Sequence, residues 1–196
     1  NILLGFVLVF VTTALEPGRI TSTTISSFYE GAVSEQTGLK IDDRIVEVNC
    51  MKIFVDGDIS YQFSKDKDGV FDMVVVRNGE KVKLEGVTFE LVEDESGNSS
   101  MIVDFTVYGK DKTFVNLCER TVNQTIYISR IVFLSLIDLI TGEYSMRDLS
   151  GPVGVVSVIG SVISEKQAFI NNLVTVLTIS SLITVNVGIF NLLPLP

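Results

Sequence analysis

The chain has 196 residues, of which 46% are hydrophobic, with a net charge of −9 and a mean hydropathy of +0.43. The acidic balance argues against a nucleic-acid-binding protein, which needs a basic surface. It also has the wrong sign for binding anionic lipid headgroups. Histidine is absent, so this chain by itself cannot form a histidine-ligated metal site or a histidine-based catalytic triad.

Every charged residue lies between Glu16 and Lys166, and both ends of the chain are apolar. Residues 167–196 exceed the roughly 20 residues that cross a bilayer, and they predict a transmembrane helix that ends in a break at NLLPLP. Residues 1–15 predict the end of another transmembrane helix, with a secretory signal peptide as the alternative. The sequence therefore predicts an α+β membrane protein whose transmembrane helices contact the lipid bilayer and flank an extracytoplasmic β-rich domain.

The middle of the chain follows a pattern of short strands and turns. The stretch RITSTTI is rich in β-branched residues, and DRIVEVN alternates apolar with polar residues, as strands do. The dipeptide Asn78-Gly79 suits a type I′ turn, because both of its residues tolerate positive φ. The flanking segments, Val74–Val76 and Val82–Leu84, are therefore predicted to pair as a hairpin.

The stretch EGAVSEQTGLKIDDRIVEVN, residues 30–49, predicts a short helix, a glycine stop, a tight loop and a strand. It resembles the PDZ domain motif at seven positions: Gly31, Ala32, Gly38, Leu39, Asp43, Ile45 and Asn49. Asp42 and Cys50 stand where that motif usually has glycine. The resemblance implies a PDZ-like domain over residues 16–118, and such domains bind an extended peptide end beside a sheet edge. A generic small β-rich domain is the alternative.

The stretch TIYISRIVFLSLIDLI carries a broad apolar helix face, with Arg130 and Asp138 on the opposite face. This pattern predicts an interfacial or protein-packed amphipathic helix that ends at Gly142. The following LSGPVGVVSVIG is rich in glycine and proline, so residues 119–166 are predicted to comprise this helix and a Gly/Pro-rich loop. The two cysteines, Cys50 and Cys118, would either pair in an oxidising compartment or stay as buried free thiols.

The final residues, TVNVGIFNLLPLP, place two asparagines and two prolines in an otherwise apolar helix. Pro194 lacks a backbone donor and obstructs helical continuation, so the helix is expected to break near its end. Broken backbone at membrane depth is tolerated only inside protein or beside a cavity. The alternative is a proline stop at the membrane surface, with asparagine side chains joining neighbouring helices.

The order of these parts resembles the site-2 proteases, in particular the bacterial regulator-of-sigma-E type, which are intramembrane zinc metalloproteases. The family's LSGPVGV segment is present, and so are eight residues of its asparagine- and proline-containing motif: Val185, Asn186, Gly188, Ile189, Asn191, Leu192, Pro194 and Pro196. The resemblance implies a multi-pass cell-membrane protease with its PDZ-like domain on the extracytoplasmic side. Its substrates would be single-pass membrane proteins, such as anti-sigma factors, cleaved in regulated intramembrane proteolysis.

The metal-binding motifs of that family do not occur in this sequence. The family binds zinc through the two histidines of HExxH and the aspartate of LDG, whereas this chain has no histidine and stops at Pro196. The resemblance therefore implies a central fragment that contains no catalytic or metal-binding residues and is inactive as it stands, the zinc ligands lying outside it. A non-catalytic, membrane-tethered PDZ protein that recruits peptide ends is the alternative, and a transporter or channel subunit is a third possibility.

The resemblance also implies two binding regions within the chain. An unwound substrate strand would lie in a non-helical seam shaped by Asn186, Asn191, Pro194 and Pro196, because asparagine offers both a donor and an acceptor. The PDZ strands of the family are circularly permuted, so the peptide-binding strand is expected late in the domain, over Met101–Val107. A peptide C-terminus would bind there, in a groove formed by Ser100, Met101, Ile102 and Val103.

Overall fold

The computed structural model describes residues 1–66, 68–93, 99–141 and 169–192. Helices and strands both occur among them, which confirms the α+β prediction. The elements, in chain order, are α1 (Ile2–Leu15), β1 (Ile20–Phe28), α2 (Val33–Gln36), β2 (Arg44–Val48), β3 (Met51–Lys52), α3 (Asp56–Lys65), β4 (Val70–Arg77), β5 (Glu80–Thr88), β6 (Leu91–Glu93), β7 (Ser99–Met101), β8 (Phe105–Lys110), α4 (Phe114–Thr141) and α5 (Phe169–Leu192).

The chain divides into two compact units. The β-rich unit is Arg19–Asp111, and the helical unit combines Asn1–Gly18 with Lys112–Pro196. The sheet of the β-rich unit has six antiparallel strands in the order β5-β4-β2-β1-β8, with β3 paired to β2 outside that path. A separate two-stranded sheet joins β6 to β7. Strands β5 and β8 are therefore the two edges of the main sheet.

The hairpin between β4 and β5 is the one that the sequence predicts. Asn78 and Gly79 have φ angles of 52° and 86°, the left-handed pair that a type I′ turn requires. Arg77 pairs with Glu80 on either side of the turn. The turn chemistry thus sets the register of the two longest neighbouring strands in this half of the sheet.

The segment that resembles a PDZ motif also has the predicted local structure. Helix α2 is followed by Gly38, whose φ of 130° ends it. Asp42 and Cys50, which stand at positions where the motif usually has glycine, have φ angles of 71° and 64°. Non-glycine residues adopt this region at a cost. The backbone at both positions therefore keeps a conformation that glycine would adopt more easily.

Phenylalanine side chains join α3 to the sheet in the core of the β-rich unit. The ring of Phe63 lies 4.7 Å from those of Phe71 and Phe89, and Phe89 lies 6.1 Å from Phe105. Aromatic contacts at these separations are favourable beyond the area they bury. Helix α3 is itself fixed at its start, because the carboxylate of Asp58 accepts the backbone N–H groups of Phe54 and Val55. The remaining fully buried members of the core are Ile25, Leu39, Ile45, Val48, Met73, Val75 and Val87.

The helical unit packs α1, α4 and α5 around a small apolar core. This cluster consists of Val9 of α1, Ile128 and Val132 of α4 and Val185 of α5. Among the described residues, α5 is the one helix long and apolar enough to cross a membrane, and α1 is a shorter apolar helix. The predicted stop at Gly142, the Gly/Pro-rich loop and residues 193–196 of the predicted NLLPLP break lie outside the described residues, whereas Asn191 and Leu192 are the last residues of α5. The thiols of Cys50 and Cys118 are both free.

A buried ion pair connects the turn before β2 to the end of β4. Arg77 donates from Nε and Nη2 to the two carboxylate oxygens of Asp43, each at 2.7 Å, and from Nη2 to the carbonyl of Gly38 at 2.8 Å. The backbone N–H of Lys40 also donates to Asp43, which is fully buried. The hydrogen bond to Asp43 raises the pKa of Arg77. One carboxylate therefore holds the loop, the helix stop and the sheet together.

Replacement of Asp43 by asparagine is expected to destabilise the β-rich unit by roughly 3 kcal/mol, because it leaves the guanidinium of Arg77 without its buried counter-charge. The measurement is urea-induced unfolding of the segment 19–111, which has its own core. Glu85→Gln is the matched control, since Glu85 pairs with Lys83 on an exposed surface and such pairs contribute little. Equal unfolding midpoints for the two variants would contradict this role of Asp43.

Candidate functional site at the crossing of helices α1 and α5

The hydroxyl groups of α5 are satisfied within the helix itself. Each donates to a backbone carbonyl three or four residues earlier, at 2.7–2.9 Å, which holds for Thr175, Thr178, Ser180, Ser181 and Thr184. This local hydrogen bonding lets polar side chains lie in an apolar environment without a partner on another helix. Two asparagines of α5 differ, because the Oδ1 atoms of Asn172 and Asn186 are buried and have no hydrogen-bond partner.

Helices α1 and α5 cross at two glycines. A Cβ atom added to Gly5 would lie 2.6 Å from the Cγ2 atom of Val185, and one added to Gly188 would lie 2.6 Å from Cγ1 and 3.1 Å from the backbone nitrogen of Ile2. Real Cβ atoms do not approach other atoms this closely, so both glycines are required for the observed spacing. The pairs also show that the two helices run antiparallel, since position 2 meets 188 and position 5 meets 185.

The crossing brings the start of α1 beside the end of α5. A cavity of about 330 Å³ lies there, lined by Asn1, Ile2, Leu3, Gly188 and Asn191. The side chain of Asn191 is exposed, and it shares this cavity with Asn1. Two amide side chains therefore lie next to the point where the sequence predicts a helix break.

The other predicted residues of the seam are placed differently. The Oδ1 atom of Asn186 is buried and has no hydrogen-bond partner, and Asn186 does not line the cavity that contains Asn191. An acceptor that is buried without a partner costs free energy. Pro194 and Pro196 lie outside the described residues.

The predicted peptide groove lies on the chain that leads into the edge strand β8. Ser100 and Met101 belong to β7, whereas Ile102 and Val103 follow it and are exposed. The single strand expected over Met101–Val107 is wrong, because the chain leaves β7 after Met101 and enters β8 only at Phe105. Residues 102–104 therefore form a loop and do not pair as a strand.

Asp104 fixes that loop, and sequence reasoning did not identify it. Its carboxylate accepts the backbone N–H of Ser34 at 2.9 Å and the hydroxyl of Ser34 at 2.5 Å, and both residues are buried. Its carbonyl accepts the backbone N–H of Tyr29 at 2.9 Å. These partners are about 70 residues apart in sequence, so a local pattern could not reveal the contact. Gly5 was missed for the same reason, since its partner is on α5.

The residues described here do not form a zinc site. No cluster of three or more histidine, cysteine, aspartate or glutamate side chains with the geometry to hold a metal occurs among them. The side chains at the α1–α5 cavity are amides and aliphatic groups, whereas zinc is bound by cysteine, histidine and carboxylate. The cavity can bind polar backbone, but no metal-dependent step is assigned to it.

Gly188→Ala is expected to destabilise the helical unit by about 1–2 kcal/mol, because the new methyl group meets the backbone of Ile2 and overpacking is costly. Gly5→Ala is expected to be milder, because its methyl would clash with a side-chain atom of Val185, whereas the nearest backbone atoms, at 3.4 and 3.5 Å, are at ordinary contact distances. The measurement is thermal unfolding of the purified protein in detergent.

Adding Val185→Ala to Gly5→Ala should recover the stability lost to overpacking. Ile2→Ala should rescue Gly188→Ala only in part, because the backbone nitrogen of Ile2 would remain 3.1 Å from the new methyl group. If both alanine variants unfold at the wild-type temperature, the close crossing of the two helices is not required.

Comparison with known proteins places the whole chain in one family. The model of peptidase family M50 matches residues 1–196. A putative zinc metalloprotease of Fusobacterium nucleatum, FN1322, is 33% identical over 202 residues, which cover 100% of this chain and 56% of that protein. The zinc metalloprotease RasP of Oceanobacillus iheyensis is 32% identical, covering 83% of this chain and 38% of that protein.

A relative with a more specific name also matches the full length of this chain. The regulator of sigma-W protease RasP of Bacillus subtilis is 24% identical over 197 residues, covering 100% of this chain and 44% of that protein. The chain thus spans about half the length of the curated relatives it matches. From the match over its full length, the chain belongs to peptidase family M50, the site-2 protease family.

Proposed function

We propose that the whole protein is a multi-pass intramembrane zinc metalloprotease that cleaves single-pass membrane proteins, such as anti-sigma factors, in regulated intramembrane proteolysis. The observation that carries this proposal is the match to peptidase family M50 over residues 1–196. The relative named a regulator of sigma-W protease supports the class of substrate. Helix α5, which is long and apolar enough to cross a membrane, supports the cell-membrane location.

The proposed role of this chain is to hold the substrate backbone. A peptide bond in a transmembrane helix is shielded by its own hydrogen bonds, so cleavage requires local unwinding, and unwound backbone in lipid needs new partners. Asn191 lines a cavity beside Asn1, and the unpartnered Oδ1 of Asn186 is an acceptor on the same helix. We assign both asparagines to substrate binding, with Pro194 and Pro196 keeping the adjacent backbone out of the helix.

Zinc is proposed for the whole protein and not for this chain alone. Relatives that match the full chain are named zinc metalloproteases, but this sequence has no histidine. The zinc ligands are therefore proposed to come from segments outside this sequence, and the chain alone is proposed to be inactive. In this proposal, Asn186 and Asn191 of this chain bind and orient the substrate.

A second proposed activity is the capture of a peptide C-terminus by the β-rich unit, as a PDZ-like domain on the extracytoplasmic side. The two sheet edges differ in charge: β5, EKVKLEGVT, has four charged residues, whereas β8, FTVYGK, has one. Charged edges resist the addition of another strand. Edge β8 is therefore the better site for strand addition, and it is preceded by the segment from Ser100 to Val103, which comprises the end of β7 and the start of the loop whose amides would meet a carboxylate.

Asn191→Ala in the intact protein is expected to lower turnover more than tenfold, a loss above about 1.4 kcal/mol of transition-state stabilisation. Asn191→Leu should behave alike, because it keeps the bulk and removes the hydrogen bonds. The measurement is cleavage of a single-pass substrate in reconstituted membranes, with expression level and zinc content determined in parallel.

The matched control is Asn171→Ala, which makes the same change near the other end of α5 and away from the α1–α5 cavity. An asparagine that only joins helices contributes about 0.6 kcal/mol on average, so cleavage would then change little. Normal cleavage by both Asn191 variants would falsify its role in substrate binding.

A peptide with a free C-terminus is expected to shift the amide resonances of residues 102–108 when it is added to the isotope-labelled segment 19–111. Strand β5 at the opposite edge provides the internal reference. An amidated peptide of the same sequence should bind about tenfold more weakly, because it lacks the carboxylate that the loop amides would bind. Shifts that cluster on β5, or equal affinity for both peptides, would count against this groove.

A further inference from the structure

A second cavity in the helical unit has no role in the proposed protease activity. Its volume is about 420 Å³, and it lies among α1, α4 and α5. Small-molecule sites usually have about 300–1,000 Å³, so the cavity is large enough for a ligand. Its walls differ in chemistry: one end has Glu16 and Arg120, and the other has Val9, Ile128 and Ile131.

The interior of this cavity has an excess of hydrogen-bond acceptors. The hydroxyls of Thr12, Thr178 and Ser181 donate to carbonyls of their own helices, so toward the cavity they offer only lone pairs. The Oε1 atom of Gln124, which lines the cavity, is buried and has no partner. A ligand that donates several hydrogen bonds would remove the cost of this unpartnered acceptor.

The two charged residues at the cavity have opposite signs. Glu16 is exposed at the end of α1, and Arg120 lies on α4. Charged side chains are expensive in hydrocarbon and lie at its boundary with water, so this end of the cavity belongs at the membrane surface. Arginine binds phosphate well, and its five N–H donors allow a phosphate contact in addition to a contact within the protein. A carboxylate beside it suits a cation.

From these features we propose that the cavity binds the headgroup of a zwitterionic phospholipid with a primary ammonium group, of the phosphatidylethanolamine type. The ammonium donates to Gln124 and Glu16, the phosphate accepts from Arg120, and one acyl chain lies along Ile128 and Ile131. A choline headgroup has no N–H donor for the acceptors. A glycerol headgroup has no ammonium group, and it leaves the lipid with a net negative charge beside the carboxylate of Glu16.

The test measures lipid binding to the intact, delipidated protein by native mass spectrometry, with short-chain phosphatidylethanolamine, phosphatidylcholine and phosphatidylglycerol as probes. The wild type should retain the ethanolamine lipid at least about tenfold better than the choline lipid. Gln124→Leu should abolish that preference, and Arg120→Gln should weaken retention of both. Gln124→Met is the second variant if the leucine variant does not fold, which thermal unfolding will show.

Matched controls make the same changes on α4 away from the cavity: Asn123→Leu and Arg130→Gln should retain lipid as the wild type does. Soluble glycerophosphoethanolamine distinguishes the source of the headgroup, and it should bind much more weakly than the lipid because it has no acyl chain. Equal retention of the three lipids, unchanged retention by Gln124→Leu, or equal binding of the soluble headgroup would each overturn the proposal. The readout is binding, so loss of proteolysis does not affect it.

Discussion

The close approach of α1 and α5 at Gly5 and Gly188 is the constraint on which the helical unit depends. Without Cβ atoms at these positions the two backbones come near enough for Val185 to be fully buried and for Ile2 to meet Gly188. The same approach places Asn1 and Asn191 at one cavity. At the other end of the antiparallel pair, α1 and α5 form two walls of the larger cavity. The shapes of both cavities therefore depend on this one helix crossing.

Polar groups in this unit fall into two classes with different consequences. The hydroxyls of α5 and those of Thr12, Thr13, Thr121 and Thr125 donate to carbonyls of their own helices, so they are compatible with lipid or with a packed interface. The amide oxygens of Gln124, Asn172 and Asn186 are buried without a partner. Because such groups cost free energy, two of them, Gln124 and Asn186, are the ones proposed to contact a ligand. The proposals for substrate and lipid both rest on this distinction.

Local chemistry explains which parts of the structure the sequence could predict. Asn78-Gly79 dictates a tight hairpin whatever surrounds it, and Gly38 ends α2 for the same local reason. The break between β7 and β8 could not be predicted, because it depends on Asp104 binding Ser34 across about 70 residues. The family resemblance at the end of the chain identified Asn191. It gave no indication that Gly188, three residues earlier, contacts Ile2. The spacing of apolar residues predicts which face of a helix or strand is buried, but it does not identify the element that covers that face.

The glycine crossing also determines which conditions the helix pair will respond to. Lipid chains are as apolar as leucine side chains, so two helices in a bilayer gain little hydrophobic free energy when they exchange lipid contacts for contacts with each other. Dispersion forces, which act over a few ångströms, hold such helices together instead. Such forces are not screened by ions. The heat-capacity change that accompanies burial of apolar surface from water should be small here. In the membrane location proposed above, the α1–α5 pair should therefore be nearly indifferent to ionic strength, yet sensitive to bilayer thickness, which changes helix tilt.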